Sequence, residues 1–384
     1  MRILVLDTIH GGADLAAALR DAGHRVDEVD VYRGEVGIPV EEALVRTYDL
    51  VTAPVHLDPD HPLLQQHGPA VSHHEVVGLL IAGGAGRPFI EITGARGKTT
   101  TAHAIAALMP GPGVLHTSTG TYRYPERELL WKKSITPASL IPAAREAERI
   151  GGWLVAEESL GVTGAGDAAV LTSAEDYPIA AGKRRALAAK LGLLARARTV
   201  VLPQGVDLPG CVPVGSVASV EGEACRYSGY GIAGSFQNPL LSLAGYRTAL
   251  SLAAATACVL GIDPSPLGGF TAIPGRMAVR RDGSLLVVDN ANSGTNMATT
   301  VEAARYAREL AGDAPLTLVI GEEARAVCEG FPATEISRAV AAVRPDATVY
   351  VGDGEEAATL EEGFAAAREI TPEGAIVLAV KTWR

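Results

Sequence analysis

Apolar and polar positions along the first part of the chain alternate between two periods, and the alternation predicts strands and helices in turn. Apolar or alternating runs at residues 3–6, 26–31 and 50–53 predict strands, and helical patterns near 15–22 and 40–47 lie between them. Strands that alternate with helices are typical of a parallel sheet. The first 84 residues are therefore expected to form a small α/β domain.

The C-terminal third repeats this alternation after a segment rich in helix breakers at residues 261–266, which predicts a linker. Strand patterns occupy residues 285–288, 316–320, 348–351 and 375–380, and helical patterns lie near 301–311, 335–343 and 356–369. This order predicts a parallel sheet with right-handed crossovers. The expected domains are residues 1–84, 85–265 and 266–384.

Residues 93–101, with the sequence Thr-Gly-Ala-Arg-Gly-Lys-Thr-Thr-Thr, hold the strongest chemical signal in the chain. An apolar run at 88–92 leads into them and a helical pattern at 102–109 follows, which is the strand–loop–helix context of a phosphate-binding loop. Backbone N–H groups and the helix N-terminus would surround phosphate oxygens. Lys98 would reach the terminal phosphates and the Thr99 hydroxyl would hold Mg²⁺. The predicted nucleotide-binding residues are Thr93, Gly94, Ala95, Arg96, Gly97, Lys98, Thr99 and Thr100.

The loop is a compact form, because Ile92 stands where the longer form has its first glycine. It resembles the loop of the Mur ligase family, whose members use ATP to activate a carboxylate as an acyl phosphate. The resemblance implies a small N-terminal Rossmann-like domain, a central P-loop ATPase domain and a C-terminal Rossmann-like domain. It also implies ATP and Mg²⁺ as cofactors.

The same resemblance implies which acids hold the metal. The apolar run 153–156 ends in Glu157, which takes the place of the family's metal-binding acid, with Glu158 as a near competitor. Asp176 matches a second metal residue of the family. Tyr177 stands where the family has a histidine, and a protonated tyrosine is a poor Mg²⁺ ligand. All nine histidines lie at or before His116, so the number of Mg²⁺ ions is left open.

Further positions match the family outside the loop. Lys190 corresponds to a lysine that is often carbamylated, with Lys183 as the weaker alternative, and Asn238 corresponds to an adenine contact. In the C-terminal domain, Arg276 within Pro-Gly-Arg-Met and Asp289 within Val-Asp-Asn-Ala-Asn-Ser match residues that reach ATP when the domains close. A family histidine is again replaced, here by Asn292. The resemblance therefore makes Lys98, Glu157, Lys190 and Arg276 the candidate catalytic residues.

The opening Leu-Val-Leu-Asp-Thr-Ile-His-Gly-Gly resembles a shorter Mur-like subgroup that makes the nickel tetrapyrrole coenzyme F-430 in methanogens. That resemblance implies a small-molecule substrate, a nickel tetrapyrrole carboxylic acid, facing Asp7, Thr8, His10 and Gly11. A basic cluster could receive its carboxylates: Arg123, Arg127, Lys132 and Lys133. A nicotinamide site with Asp30 on the ribose is disfavoured, because the first turn lacks the glycine spacing that pyrophosphate needs.

Composition narrows the class of partner. The formal charge of −11 and the absence of a basic stripe argue against nucleic acid and anionic membranes as partners. The longest apolar stretch, near residues 249–262, is too short to span a bilayer, and residues 1–7 are predicted to form a strand rather than a signal peptide. Four scattered cysteines, Cys211, Cys225, Cys258 and Cys328, show no metal or redox spacing. We therefore expect a cytoplasmic enzyme.

Two other functions remain open at this point. An amide ligase of the Mur type would join an amino acid to a carboxylate substrate, and its ADP release would depend on that amino acid. A regulatory protein with the same fold would bind ATP without turnover, and the two missing histidines are its only support. Oligomeric state and the residue that deprotonates a carbon nucleophile are not predicted.

Overall fold

The computed structural model describes residues 1–323 and 330–382, and Cys328 therefore lies outside the described residues. The chain divides into two compact units, Met1–Phe270 and Thr271–Arg384. The predicted linker at residues 261–266 belongs to the first unit, whereas the predicted domain boundaries stay predictions. No helix in the described part of the chain is both long and apolar enough to cross a bilayer.

The first unit begins with a parallel sheet of strand order β2-β1-β3-β4, which confirms the predicted parallel arrangement. Its elements are β1 (Arg2–Leu6), α1 (Gly12–Asp21), β2 (Arg25–Val29), α2 (Val40–Val45), β3 (Leu50–Ala53), α3 (Pro62–His67), β4 (Val71–Ser72) and α4 (His73–Ile81). Helix α4 begins with a capping box, in which Ser72 and Glu75 bond each other's backbone N–H groups. This cap fixes where the chain leaves the sheet.

The rest of the first unit is built on an eight-stranded sheet of order β14-β13-β10-β5-β9-β6-β7-β8, parallel except at β7 and β8. Its elements are β5 (Phe89–Thr93), α5 (Lys98–Leu108), β6 (Gly113–Thr117), β7 (Gly120–Tyr124), β8 (Glu128–Trp131), α6 (Leu140–Arg149), β9 (Trp153–Glu157), β10 (Ala168–Leu171), β11 (Pro178–Ile179), β12 (Arg184–Arg185), α7 (Ala186–Leu194), β13 (Val200–Leu202), β14 (Val212–Pro213), β15 (Ala218–Glu221), β16 (Ala224–Gly229), β17 (Ile232–Gln237) and α8 (Ala244–Val259). Strands β15, β16 and β17 form a separate antiparallel sheet that the sequence patterns did not predict.

One hydrophobic core joins the first two sheets. Apolar residues of β1, α1 and α4 pack in the same buried cluster as residues of β5, β9 and α6, for example Val5, Val77, Phe89 and Leu154. Burial of this apolar surface is the main force that holds the two sheets together. Central placement of β5, between β9 and β10, brings the carboxyl ends of three parallel strands to one edge.

The second unit has a five-stranded sheet of order β18-β19-β22-β20-β21. Its elements are β18 (Ala278–Asp282), β19 (Leu285–Asp289), α9 (Met297–Ala311), β20 (Leu316–Glu322), α10 (Ala333–Val343), β21 (Ala347–Val351), α11 (Leu360–Ile370) and β22 (Gly374–Lys381). The four predicted strands pair in parallel, and a fifth strand that was not predicted, β18, pairs antiparallel with β19 at one edge. Only two residues separate β18 from β19, which leaves room for a hairpin but not for a parallel crossover.

Candidate active site

The predicted phosphate loop connects β5 to α5. Gly94 has a φ of 150° and Gly97 a φ of 79°, both in the region that favours glycine. A Cβ at Gly94 would lie only 2.1 Å from Thr172 Oγ1, and that hydroxyl bonds the carbonyl oxygen of Arg96 from the end of β10. The turn therefore needs glycine both for its dihedral angle and for the close approach of the neighbouring strand.

Two loop N–H groups point at a single acceptor. Ala95 N and Arg96 N donate to Ser173 Oγ over 2.9 and 3.2 Å, and the Arg96 guanidinium pairs with Glu175 over 2.8 Å. Converging backbone donors next to a helix N-terminus form the kind of cradle that binds phosphate oxygens. Ser173 Oγ is their acceptor in this conformation, and the nucleotide contacts of the loop stay predictions.

Glu157, at the carboxyl end of β9, is the acid that reaches this loop. It is 2% exposed, and its Oε2 accepts hydrogen bonds from Thr99 Oγ1 over 2.8 Å and from Ser118 N over 3.1 Å. Lys98 Nζ donates to Gly94 O over 3.1 Å and lies 3.8 Å from Glu157 Oε1. A hydroxyl and a carboxylate at one point, beside a lysine, form a donor set that fits a magnesium ion on a phosphate.

The competing acid, Glu158, points elsewhere. Its carboxyl is fully buried and faces Glu91, whose carboxylate accepts hydrogen bonds from Thr163 N over 2.6 Å and Gly166 N over 2.8 Å. Burial, and then the charge of Glu91, raise the pKa of Glu158 well above its ordinary value. Glu158 thus faces Glu91 rather than the loop, and Glu157 is the one of the two acids that contacts Thr99.

Lys190 lies on α7 in a fully buried position. Its Nζ is 3.5 Å from Tyr177 Oη and 4.8 Å from the centre of that ring. Tyr177, which replaces the family's histidine, is therefore in contact with Lys190, the lysine that the resemblance predicts to be functional. Asp176 instead pairs with Arg185 over 2.7 Å and accepts from Leu187 N over 2.9 Å at the start of α7. Within residues 1–323 and 330–382, no hydrogen bond or ion pair joins Asp176 to Glu157.

Asn238 has a structural role in this conformation. Its side-chain amide donates to the carbonyl oxygens of Leu267 and Phe270, both over 2.8 Å, and accepts from Leu240 N over 2.9 Å. These bonds hold the end of β17 against the segment before the second unit. The predicted adenine contact of Asn238 stays a prediction.

In the second unit, Asn292 joins the two elements that were predicted to reach ATP. Its Nδ2 donates to Gly275 O over 2.7 Å, and its Oδ1 accepts from Gly294 N over 2.8 Å. Gly275 precedes Arg276, whereas Asp289 ends β19 and accepts from Ala291 N over 3.2 Å. The residue that replaces the second family histidine thus holds the Arg276 turn next to the loop after β19. The roles of Arg276 and Asp289 towards ATP stay predictions.

The N-terminal loop is organised by Asp7, which is fully buried and has a φ of 83°. Its Oδ1 accepts from Ile9 N over 2.7 Å and from His10 N over 3.2 Å, and its Oδ2 accepts from His10 Nδ1 over 2.8 Å. Although burial alone would raise the pKa of Asp7, the bonds from His10 lower it, and the same bond raises the pKa of His10. Asp7 thereby fixes the orientation of the His10 ring.

Two residues that sequence reasoning missed lie against His10. The ring of His56 is 4.8 Å from that of His10 and the ring of Tyr32 is 5.3 Å away, both edge to face. Tyr32 follows β2 and His56 follows β3, the two strands that flank β1. Since carboxyl ends of parallel strands share one edge of a sheet, this strand order was the signal that could have grouped them.

The N-terminal loop also contacts the segment that supports the phosphate site. A Cβ on Gly11 would lie 2.5 Å from Thr136 Oγ1, and Ile135 O accepts from Ser159 N over 2.9 Å just after Glu157. Thr8 is half-buried in the same loop. The predicted substrate residues and the predicted catalytic acid are therefore linked by one short stretch of chain.

Three of the four residues of the predicted basic cluster are already engaged with acids or rings. Arg123 pairs with Glu128 and Glu146, Lys133 pairs with Asp14, and Arg127 lies over the ring of Tyr124. A cavity of about 850 Å³ instead opens beside β3, with an apolar wall and a basic rim, and is lined among others by Val55, Leu57, Leu193, Lys183, Arg184 and Arg196. Its volume is within the usual range for small-molecule sites.

Comparison with solved structures places this fold. The chain is similar to the UDP-N-acetylmuramoylalanyl-D-glutamyl-2,6-diaminopimelate–D-alanyl-D-alanyl ligase of Acinetobacter baumannii, with a TM-score of 0.54 and 15% identity over 87% of this chain and 81% of that one. It is also similar to a pseudomurein peptide ligase type C of Methanothermus fervidus, with a TM-score of 0.51 and 16% identity over 99% and 96% of the two chains. The fold is that of the Mur ligases.

Together with the sequence matches that follow, this fold defines an ATP-dependent ligase of the Mur type. Residues 279–382 match the family model for the coenzyme F430 synthetase CfbE, C-terminal domain. The coenzyme F(430) synthetase of Methanosarcina acetivorans is 32% identical over 86% of this chain and 85% of its own length. The chain belongs to the coenzyme F430 synthetase family.

Proposed function

We propose that this enzyme closes the carbocyclic ring of a ring-open nickel tetrapyrrole acid, with ATP consumed and ADP and phosphate released. The observation that carries the proposal is the 32% identity, over most of both chains, to a coenzyme F(430) synthetase. The resemblance of the opening segment to the same subgroup supports it. The loop and acid described above supply the chemistry that such a reaction needs.

The reaction would proceed in two balanced steps. A propionate oxygen attacks the γ-phosphorus of ATP, the bond to the ADP oxygen breaks, and ADP leaves with that electron pair. A carbon of the same macrocycle then loses a proton and attacks the acyl carbon. The bond from acyl carbon to phosphate breaks, and inorganic phosphate leaves. No second amine substrate is required, because the nucleophile belongs to the substrate itself.

Different side chains of the first unit have different roles in these two steps. Lys98 would neutralise charge on the transferring phosphoryl group, and Thr99 with Glu157 would hold Mg²⁺, which supplies further positive charge to the phosphates. We assign Mg²⁺ to these two oxygens because they meet at the start of α5 beside Lys98, whereas Asp176 pairs with Arg185 and, among the described residues, is bonded to neither of them. Lys190, buried against Tyr177, is proposed to act in the same step, as a carbamate or as an amine.

In the second unit, we propose that Arg276 approaches the phosphates and Asp289 the ribose when ATP is bound. The support is their match to the family pattern and the bond from Asn292 that holds their two segments together. Arginine suits phosphate because its planar guanidinium offers several donors in a fixed geometry. Asn238 is proposed as an adenine contact. That contact would form only if the Asn238 amide gives up one of its present hydrogen bonds, with Leu267 O, Phe270 O or Leu240 N.

The test is ADP release with Mg-ATP and the ring-open nickel tetrapyrrole acid, with no amine added, while the visible spectrum is followed. ADP formed together with a shifted chromophore is the expected result. ADP released only with a free amino acid and another carboxylate would instead define an amide ligase. Binding of ATP without turnover under every condition would define a regulatory protein.

A further inference from the structure

His10 has the geometry of a metal ligand. Its Nδ1 lies 2.8 Å from Asp7 Oδ2 and, in the neutral ring that binds a metal, donates its proton there, so that Nε2 carries the lone pair. Metal-binding histidines commonly bond a carboxylate through their second nitrogen, because that bond fixes the ring and increases the basicity of the ligating atom. The His10 side chain is 43% exposed, so a molecule at the surface of the loop can reach it.

Asp7 is not available as a second ligand, although it lies in a cluster with His10 and His56 whose possible ligand atoms fall within 4.8 Å of one another. Both of its oxygens already accept hydrogen bonds, from Ile9 N, His10 N and the His10 ring. The cluster is therefore left with two imidazoles. Protein sites for a free transition-metal ion usually supply three or four ligands, so two imidazoles are too few to bind such an ion. A metal bound here must bring most of its ligands with it.

A tetrapyrrole provides such a metal. Its four nitrogens occupy the plane around nickel and leave only the axial positions open, and one face of the macrocycle accepts one imidazole. His10 is better placed than His56, because His56 Nε2 is buried without a hydrogen-bond partner, whereas the His10 ring reaches the surface. Tyr32, 45% exposed and stacked on His56, offers an apolar ring beside the same position.

We propose that His10 Nε2, held in orientation by Asp7, binds the nickel of the macrocyclic substrate as its axial ligand. This inference rests on the proposed function and adds to it the contact by which the substrate is recognised. Gly11 packs on Thr136, in the segment that leads to the Glu157 strand end. A macrocycle fixed through its metal at His10 would therefore be held beside a segment that is hydrogen-bonded to the chain just after Glu157.

The experiment is a titration of the full chain with the ring-open nickel tetrapyrrole acid in the absence of ATP, followed by its visible absorption. Axial ligation changes the coordination number of nickel, so the wild-type chain is expected to shift the spectrum. His10→Ala should lose the shift and bind at least about tenfold more weakly, and added imidazole should restore the shift. Retention of the wild-type shift in His10→Ala overturns the proposal.

Two further variants separate ligation from folding. His56→Phe keeps an aromatic ring against Tyr32 and should retain the spectral shift. If His56→Phe loses the shift while His10→Ala retains it, the ligand is His56 instead. Asp7→Asn keeps an acceptor for the loop N–H groups and tolerates a positive φ, and it should shift the spectrum with a several-fold weaker affinity. An unchanged affinity in Asp7→Asn would contradict the orienting role.

Assays with the nickel acid, and with the same acid without nickel, distinguish the two proposals. If the wild-type chain releases ADP with the nickel acid but shows no axial shift, the proposed function stands and His10 ligation fails. If the nickel acid neither binds nor supports ADP release, the proposed function itself fails. If the metal-free acid binds as tightly as the nickel acid, recognition does not pass through the metal and the inference is overturned.

Discussion

Thr99 Oγ1 donates a 2.8 Å hydrogen bond to Glu157 Oε2, across the gap between the N-terminus of α5 and the carboxyl end of β9. The two residues are 58 positions apart, and the pairing of β5 with β9 brings them together. A buried carboxylate is costly unless it is bonded, and here Thr99 and Ser118 bond it while Lys98 lies close. The pair is thus held in place before any metal binds.

Glu157→Gln is expected to abolish most of the turnover while the chain still folds. The amide keeps the size of the carboxylate and can still accept from Thr99, but it loses the charge that a magnesium ion needs. ADP release should fall by roughly 100-fold, in line with the loss of one charge-stabilising group. Steady-state ADP assays measure this, with Glu221→Gln, an exposed strand-end acid, as the control. Wild-type turnover in Glu157→Gln would remove Glu157 from the catalytic site.

Glu158→Gln is expected to behave in the opposite way, with turnover kept and stability raised at higher pH. Because the pKa of buried Glu158 is raised above its ordinary 4.5, the folded chain holds this proton more tightly than the unfolded chain. The stability from Glu158 is therefore complete below pH 4.5 and is lost as the pH rises towards the folded pKa. The loss is at most about 1.4 kcal/mol per pH unit.

Thermal unfolding from pH 4.5 upwards measures this difference. The melting temperature of Glu158→Gln should exceed that of the wild-type chain by a difference that increases with pH. A constant difference at every pH would show that Glu158 does not stay protonated against Glu91. Loss of turnover in Glu158→Gln, with normal turnover in Glu157→Gln, would exchange the roles assigned to the two acids.

Sequence patterns predicted the parts of the fold that depend on local order. The alternation over residues 3–53 and 285–380 predicted both terminal α/β regions, and the residues from Thr93 to Thr101 predicted the strand, loop and helix that the structure contains. These signals are local, since periodicity and turn chemistry act within a few residues. The antiparallel edge strand β18 was missed because its five residues include two arginines and an aspartate and no apolar run.

The parts of the candidate site that were missed depend on contacts distant in sequence. His56 and Tyr32 join His10 only because β2 and β3 flank β1, a strand order that no local pattern specifies. The choice of Glu157 over Glu158 came from the family resemblance and not from a polar pattern, because β9 is buried throughout and Glu158, which follows it, is buried too. Strands buried on both sides lose the polar alternation that would have decided it.

Gly94→Ala should destabilise the first unit and weaken ATP binding. The new Cβ would lie 2.1 Å from Thr172 Oγ1, on a backbone with a φ of 150°, so the loop must shift. Urea unfolding should show a loss of about 1–3 kcal/mol, and calorimetry should show weaker ATP binding. Gly83→Ala is the matched control, because a Cβ there meets nothing within 4 Å, and it should change stability by less than about 0.5 kcal/mol. Equal effects of the two variants would contradict the proposed cradle.

Lys190→Met is expected to lower turnover by at least about tenfold without loss of the fold. Methionine keeps most of the volume of this fully buried side chain and carries no charge that burial would have to desolvate. ADP release and thermal unfolding measure the two effects separately. Lys183→Met is the control, since Lys183 pairs with Asp58 and Asp60 near the surface. A larger loss of turnover in Lys183→Met than in Lys190→Met would favour the alternative lysine.

Asn292→Asp should loosen the turn that contains Arg276 and weaken ATP binding. Aspartate can still accept from Gly294 N, but it cannot donate to Gly275 O, and its oxygen would face that carbonyl oxygen. An unmatched pair of this kind costs about 1–3 kcal/mol when fully buried, and the cost is smaller here because Asn292 is half-buried. Asn296→Asp is the matched control, because Asn296 caps α9 through its oxygen and aspartate caps equally well. We expect the KM for ATP to rise several-fold in Asn292→Asp and to change little in Asn296→Asp. If both variants keep the wild-type KM, Asn292 does not position Arg276 for ATP.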